Sequence, residues 1–371
     1  MNENEQFLTE QIITYIGNKR SLLDFIGKSV DIVKEELNQE KLSCADLFSG
    51  SGIVARYLKQ FSTKLYVNDL ENYSNTINRC YLTNLSSIDE EEVNKWFKYL
   101  KDNLLDEKLE AGFITKLYSP QNDEDIKEGE RVFYKSRNAK YIDTERQLLN
   151  NVPEPYKTLF LGPLLYEASN RTNTSGVFKG FYKNSSTNKG QFGGNGRNAL
   201  KRILSDIEVK KPVLSNYDCE TFFYQEDTVK LSKKLPLIDL VYLDPPYNQH
   251  PYGSNYFMLN LINDYKEPIN ISKVSGIPAD WNKSDFNKKS QALKMMNSIC
   301  KNLNAKYILI SFNSEGFISF DDMVKMLSSY GTVRVFDQKY STFKACRNLR
   351  NRDLYIKEYL FLLKKEDFEV C

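Results

Sequence analysis

The residues best suited to chemistry stand at the end of one apolar run, in "DLVYLDPPYNQ" (239–249). Asp244 is followed by Pro245, Pro246 and Tyr247. Each proline fixes its φ, so the Asp244 carboxylate and the Pro245 backbone carbonyl offer two hydrogen-bond acceptors at one rigid point. Two acceptors are what an aromatic amino group needs for its two hydrogens. The nitrogen's lone pair is otherwise delocalised into the ring; gripping both N–H bonds draws it toward a reactive geometry and stabilises the positive charge of attack. Tyr247 supplies a flat face on which a base can stack. The plain alternative is a buried turn with a stray acid.

A second group of residues suits a small-molecule ligand. "ADLFSGSGIVARYL" (45–58) reads as strand, glycine turn and helix, with Phe48, Gly50 and Gly52 at the corner. The glycines let a ligand approach the backbone at a helix N-terminus. The spacing is not GxGxxG and no GK[ST] follows, which points away from a dinucleotide or a nucleoside triphosphate. Asp69, ending the next apolar run "YVND", is placed to accept from ribose hydroxyls; a solvent-facing strand-end acid is the bland alternative. "ITYIGNKRSLLDFIG" (13–27) adds Tyr15 and Lys19 ahead of an amphipathic helix, where cations and backbone N–H groups favour a carboxylate.

These pieces need a scaffold. Strand-like runs at 43–48, 64–69, 211–218, 237–244, 306–312, 332–337 and 358–365 are separated by helical stretches. That alternation predicts an α/β protein with a mostly parallel sheet of about seven strands and helices on both faces. The interval 85–204 breaks the rhythm: it is polar, rich in Asn, Lys and Glu, and ends in a glycine-rich loop. It reads as an insertion that divides the remainder into 1–84 and 205–371.

Composition narrows the class. A chain of 371 residues with 41% hydrophobic and 27% charged residues is neither disordered nor membrane-spanning. Six scattered cysteines without a CxxC pair, and a single histidine, speak against a metal cluster and for reduced thiols in the cytoplasm. The start "MNENEQFLTEQ" is acidic and polar, unlike a signal peptide. A net charge of +2 is uninformative, but Lys and Arg gather with aromatics in 131–140, 178–202 and 339–352. Such runs fit a nucleic-acid surface, and fit equally a solvated face. Lys179, Arg197, Lys344, Arg347 and Arg350 are the candidate phosphate contacts.

The order of these motifs resembles the alpha group of amino-group DNA methyltransferases, the group of the Dam-like adenine methylases. It runs from "YIGNKR" to the "FSGSG" corner, then an insertion, then "DPPY". Further likeness lies in "NYDCETFF" (216–223), "GSNYFMLNLI" (253–262), "ISFNSEGFI" (310–318) and the closing "KYSTFKACRNLRNRDLYIKEYLFLL". "DPPYNQHPYGSNYF" and "GVFKGFYKN" look most like restriction–modification methylases. Two positions depart from the group: Tyr15 where Trp is frequent, and Cys219 where Phe is frequent beside the acid.

The resemblance implies a Rossmann-like fold and S-adenosylmethionine as cofactor, held by Tyr15, Lys19, Phe48, Gly50, Gly52, Asp69 and Asp218, the last meeting the adenine. It implies N6 methylation of an adenine extruded from double-stranded DNA, with Asp244, Pro245, Pro246 and Tyr247 catalytic, no metal, and 85–204 as the target-recognition domain. A cognate restriction endonuclease would be the natural partner. Cytosine N4 methylation uses the same tetrad and is the nearest alternative; a DNA-binding subunit without catalysis is the alternative from another class. No Pro-Cys dipeptide occurs, which disfavours methylation of a cytosine ring carbon.

Overall fold

The computed structural model describes residues 2–196, 199–341 and 355–366. Seven strands form one sheet: β1 (Leu42–Asp46), β2 (Ser62–Asn68), β3 (Glu220–Tyr224), β4 (Ile238–Leu243), β5 (Ala305–Asn313), β6 (Gly331–Ser341) and β7 (Tyr355–Lys365). Their order is β3-β2-β1-β4-β5-β7-β6. The first five strands pair in parallel, and β7 runs antiparallel to both its neighbours.

Central strands such as "IDLVYL" and "AKYILISFN" are apolar at nearly every position because a parallel sheet is covered on both faces. Successive side chains divide between two cores. On one face Cys44, Leu240, Tyr242, Leu309 and Leu362 pack with the helices α1 (Leu23–Leu37) and α2 (Ile53–Lys59). On the other, Ala45, Val241, Leu243, Ile308, Ile310 and Phe361 pack with the helices Lys289–Asn302 and Phe320–Leu327.

One expected strand is absent. Residues 211–218 form no strand, and β3 begins two residues later. Their apolar side chains cover the N-terminal segment instead, and side chains satisfy the backbone: Gln11 donates to the Lys211 carbonyl and accepts from the Val213 N–H, while Asn4 donates to the Leu214 carbonyl. With these bonds made, no neighbouring strand is needed.

A third core contains no strand residue. It joins α3 (Asn72–Tyr81) and the helix Phe257–Asp264 to the helices Glu90–Asn103, Phe113–Tyr118, Ser136–Leu148 and Tyr156–Asn170. The interval 85–204 thus adds helices and loops, and no described strand, beside the sheet. Among the described residues no helix is long and apolar enough to cross a membrane.

Candidate active site

The chain leaves β1 toward β2 and β3, then returns to β4 on the other side of β1. Such a reversal opens a crevice at the carboxyl ends of the strands, which is where α/β folds bind ligands. Here a cavity of about 930 Å³ occupies that place. Its walls come from the loop after β1 (Asp46, Phe48 to Ser51), the loop after β2 (Asp69 to Glu71), the segment after β3 (Glu226 to Thr228) and the end of β4 (Tyr242, Asp244, Pro246). Tyr15, Gly17 and Lys19 close it from the N-terminal segment.

The corner after β1 has the shape its sequence requires. Gly50 and Gly52 hold φ of +50° and +77°, a region costly for residues with a Cβ. A Cβ on Gly50 would lie 2.8 Å from the Tyr15 ring, and one on Gly52 would lie 2.8 Å from Asn78 Oδ1. Asp69 fastens the turn: its Oδ2 accepts from the Gly50 N–H at 2.7 Å and its Oδ1 from the Glu71 N–H at 2.9 Å. Ser74 donates to the Gly50 carbonyl, and Asn78 to Ser49 Oγ. Tyr15 stacks against both Tyr252 and Tyr256, with centroids 5.0 and 4.7 Å away. Tyr252 lines the cavity with it.

Asp244 sits at the inner end of the cavity beside Lys19. The Lys19 ammonium is 3.3 Å from Asp244 Oδ1 and 2.5 Å from Glu358 Oε1, the latter delivered by β7. Ser311 on β5 donates to the same Glu358 oxygen at 2.9 Å. Burial opposes the Lys19 charge, but the two facing carboxylates outweigh it and hold the ammonium well above its ordinary value. Burial also pushes the Asp244 carboxyl up; Lys19 pulls against that and Glu358 adds to it, leaving Asp244 at about 7.

Tyr247 lies 5.7 Å from the Lys19 ammonium, measured to its ring centroid, and meets Phe312 edge-on at 6.0 Å. It does not line the cavity; Pro246 and Asp244 do. Within the tetrad, Asp244 and Pro246 thus face the cavity, Pro245 is buried and Tyr247 packs against Phe312.

Asp46, which closes β1, is unusual in another way. It is 1% exposed, and neither carboxylate oxygen makes a hydrogen bond of ordinary geometry within the described residues. Burial, reinforced by the Asp244 charge, raises its carboxyl well above the usual range; the Phe48 and Ala55 N–H groups lean toward it and offset only part of that cost. The chain thus leaves this buried carboxylate short of hydrogen bonds, on the wall of the cavity. The cavity wall also carries Asp69, Glu71, Glu226, Asp227 and Asp244 against the single cation Lys19. That excess of acid fits a ligand with cationic groups, and S-adenosylmethionine carries a sulfonium and an ammonium.

The structure brings Tyr15, Lys19, Phe48, Gly50, Gly52, Asp69, Asp244 and Pro246 to this one cavity. Asp218 is corrected: it precedes β3, whose first residue Glu220 pairs with Lys64 near the start of β2, so it lies at the opposite end of the sheet. There its charge faces Lys59. The acids after β3 that do line the cavity are Glu226 and Asp227, in "YQEDT". The error followed from placing the strand at 211–218; an acid just beyond "ETFFY" was the signal. Asp46 and Glu358 stood within motifs already singled out, Asp46 as the acid that closes β1 and Glu358 as an acid within β7. Lys179 is exposed on the 85–204 side, whereas Arg197, Lys344, Arg347 and Arg350 fall outside the described residues.

Known proteins carry the same arrangement of sequence. The pattern of the D12 class of N6 adenine-specific DNA methyltransferases matches residues 15–326. The type II methyltransferase M.CviAII of Paramecium bursaria Chlorella virus 1 is 31% identical over 356 residues, covering 95% of this chain and 98% of that protein. The type II methyltransferase M.NlaIII of Neisseria lactamica is 28% identical, covering 95% and 99%. The modification methylase StsI of Streptococcus sanguinis is 29% identical, and there the match spans 95% of this chain but 52% of the relative. With an acid-lined cavity at the sheet reversal, a "DPPY" tetrad at its inner end and a family match over most of its length, this chain belongs to the D12 class of N6 adenine-specific DNA methyltransferases.

Proposed function

We propose that the chain is the modification enzyme of a restriction–modification system, methylating adenine N6 at one DNA sequence in the cytoplasm, and that Asp244 is its central catalytic residue. The observation that carries the residue assignment is the position of Asp244. It is the one carboxylate of the tetrad, lining the cofactor cavity at its inner end and held beside a buried lysine. The names of the relatives, type II methyltransferases and modification methylases, support the restriction–modification context.

S-adenosylmethionine, when bound, supplies an electrophilic methyl group on a sulfonium. Asp46 would meet its cationic end, Gly50 and Gly52 would let it lie against the backbone, and Asp69 or Glu226 and Asp227 would accept from its ribose and adenine. The rest falls to the protein. Asp244 and the Pro245 carbonyl accept from the two amine hydrogens of the target adenine and fix the nitrogen in line with the cavity. The low-dielectric surroundings strengthen both bonds as positive charge develops. A carboxyl near about 7 is also suited to take up the proton released by the methylated amine. Tyr247 stacks on the extruded base, since an adenine inside the duplex cannot reach a cavity at the strand ends.

The interval 85–204 is the proposed reader of sequence. It carries "KSRNAK", "ASNRTNTSG" and "KNSSTNKGQFGGNGRN", dense in the side chains that match base edges. Single-molecule sequencing of DNA from cells expressing the chain tests both parts. We expect N6-methyladenine at one motif, and a changed or relaxed motif when 165–200 is substituted while S-adenosylmethionine still binds. An unchanged motif after replacement of 165–200 removes the insertion from recognition.

A further inference from the structure

The buried Lys19 ammonium has two acids to serve, and it is closer to the one outside the tetrad. It lies 2.5 Å from Glu358 and 3.3 Å from Asp244. Glu358 is 2% exposed and is anchored by Ser311, so it cannot swing away to solvent. A lysine paired with Asp244 alone would neutralise that carboxylate and leave it a weaker acceptor. A lysine already held by Glu358 fixes Asp244 in place while leaving it with unspent charge. The three groups together carry a net charge of −1, the sign needed where an amine becomes cationic.

We propose that Glu358 is a positioning residue for methyl transfer, which acts through Lys19: it holds the ammonium so that the Asp244 carboxylate is left an undercompensated acceptor for the adenine amine. This inference rests on the reading of Asp244 as that acceptor. Glu358 touches neither substrate nor cofactor in this account. Its influence passes along Ser311 Oγ, Glu358, Lys19 Nζ and Asp244, contributed by β5, β7, the N-terminal segment and the end of β4.

The remaining titratable neighbours of Asp244 are Asp46 from β1, Tyr242 from β4 and Tyr252 from the helix Tyr252–Asn255. Tyr247 adds to the charge environment of Lys19. These groups stay in place in both the Glu358 and the Lys19 variants, so a displaced limb belongs to the residue that was changed.

Two variants separate this role from simple support of the fold, because they push Asp244 in opposite directions. In Glu358→Gln the ammonium turns wholly to Asp244, and the acidic limb of kcat/KM moves to lower pH. In Lys19→Gln the compensating cation is gone, and the limb moves to higher pH. Each shift should be about one unit, the size expected of a charge within bonding range. Turnover at the plateau should fall roughly ten-fold in Glu358→Gln, less than for loss of a direct transition-state donor. The melting temperature certifies that each variant is folded, and titration calorimetry shows whether the Glu358 variant still binds S-adenosylmethionine. If Glu358→Gln does not bind it, Glu358→Asp takes its place; that variant keeps the charge, withdraws it by one methylene, and should show a smaller shift in the same direction. A limb at the wild-type position in the Glu358 variant, or one displaced to higher pH, overturns the proposal. Asp244→Asn in the same assay distinguishes the two levels of the argument. Retained turnover there sinks the assignment of Asp244 itself. An inactive Asp244→Asn alongside an unmoved limb in the Glu358 variant sinks only the action through Lys19.

Discussion

Both ends of the sheet bury acids, and they treat them in opposite ways. At the amino end Asp239, early in β4, accepts from the Ser43 N–H and hydroxyl at 2.8 Å each and faces Lys306 at 2.7 Å. Burial alone would raise its carboxyl, but Lys306 and Ser43 outweigh that and bring it below the ordinary value. Nearby Glu36, though exposed, is likewise met by Lys364, Tyr307 and Arg334, which hold it down at about 2. At the carboxyl end Asp46 has no such donors, and Asp244 is held near about 7. An acid that serves the fold is saturated by the chain. An acid that serves a ligand is left short, and the shortfall shows in its raised affinity for a proton.

This contrast can be broken most decisively at Asp244. Asp244→Asn should lower the single-turnover rate of methyl transfer by about 10² to 10³, the cost of one charge-stabilising group in the transition state. S-adenosylmethionine should bind almost as before by calorimetry, because the acids of the cavity wall remain. A variant with near-normal turnover would place the chemistry elsewhere.

Asp46→Asn should act on binding instead. Loss of a charged hydrogen bond to the cofactor costs about 1.5–3 kcal/mol, or roughly ten- to hundred-fold in Kd. The protein without cofactor should be no less stable, since the variant removes a buried charge that nothing in the chain compensates. Weakened binding together with a lower Tm would mean that Asp46 belongs with the structural acids after all.

The smallest effect, and the sharpest in sign, lies at Asp239. Asp239→Asn should cost about 1 kcal/mol of stability after allowance for its partial exposure, with cofactor affinity unchanged. Its folded-state value lies below its unfolded one, so its contribution is complete above the unfolded value and vanishes as pH falls through the folded value. Asp244 has the reverse sign. Its folded value of about 7 exceeds the ordinary one, so ionising it costs stability progressively as pH rises toward 7 and fully above that. Difference melting curves, wild type minus each Asn variant, should therefore slope in opposite senses in separate windows: the Asp239 plot rises with pH below about 4 and is flat above it, while the Asp244 plot falls between about 4 and 7. Equal slopes would erase the distinction between the two ends.

The same contrast explains what could be seen in the sequence alone. Residues that act through their own type and immediate neighbours were legible: Gly50 and Gly52 in a turn demanding positive φ, Asp244 on a doubly proline-stiffened backbone, and the apolar runs of β1, β2 and β4 to β7. Residues that matter for what they lack were not. Asp46 looks like any strand-end acid until the absence of donors around it is known, and Glu358 looks like a surface charge until β7 turns it inward against Lys19. The apolar 211–218 misled for a related reason. Periodicity registers that a segment is buried, not whether a strand or the side chains of Gln11 and Asn4 will satisfy its backbone.

The pair Lys19 and Glu358 spans 339 positions of the chain. Translation therefore meets the lysine long before its counter-charge. Until β7 has emerged from the ribosome and slotted between β5 and β6, Lys19 has no acid on that side, and the sheet still lacks the strand that separates β5 from β6. A nascent chain with its glycine corner and tetrad already formed would still await the strand that completes the charge network. The order of the chain thus sets the order in which this charge network can be completed, the lysine being made 339 positions ahead of its acid.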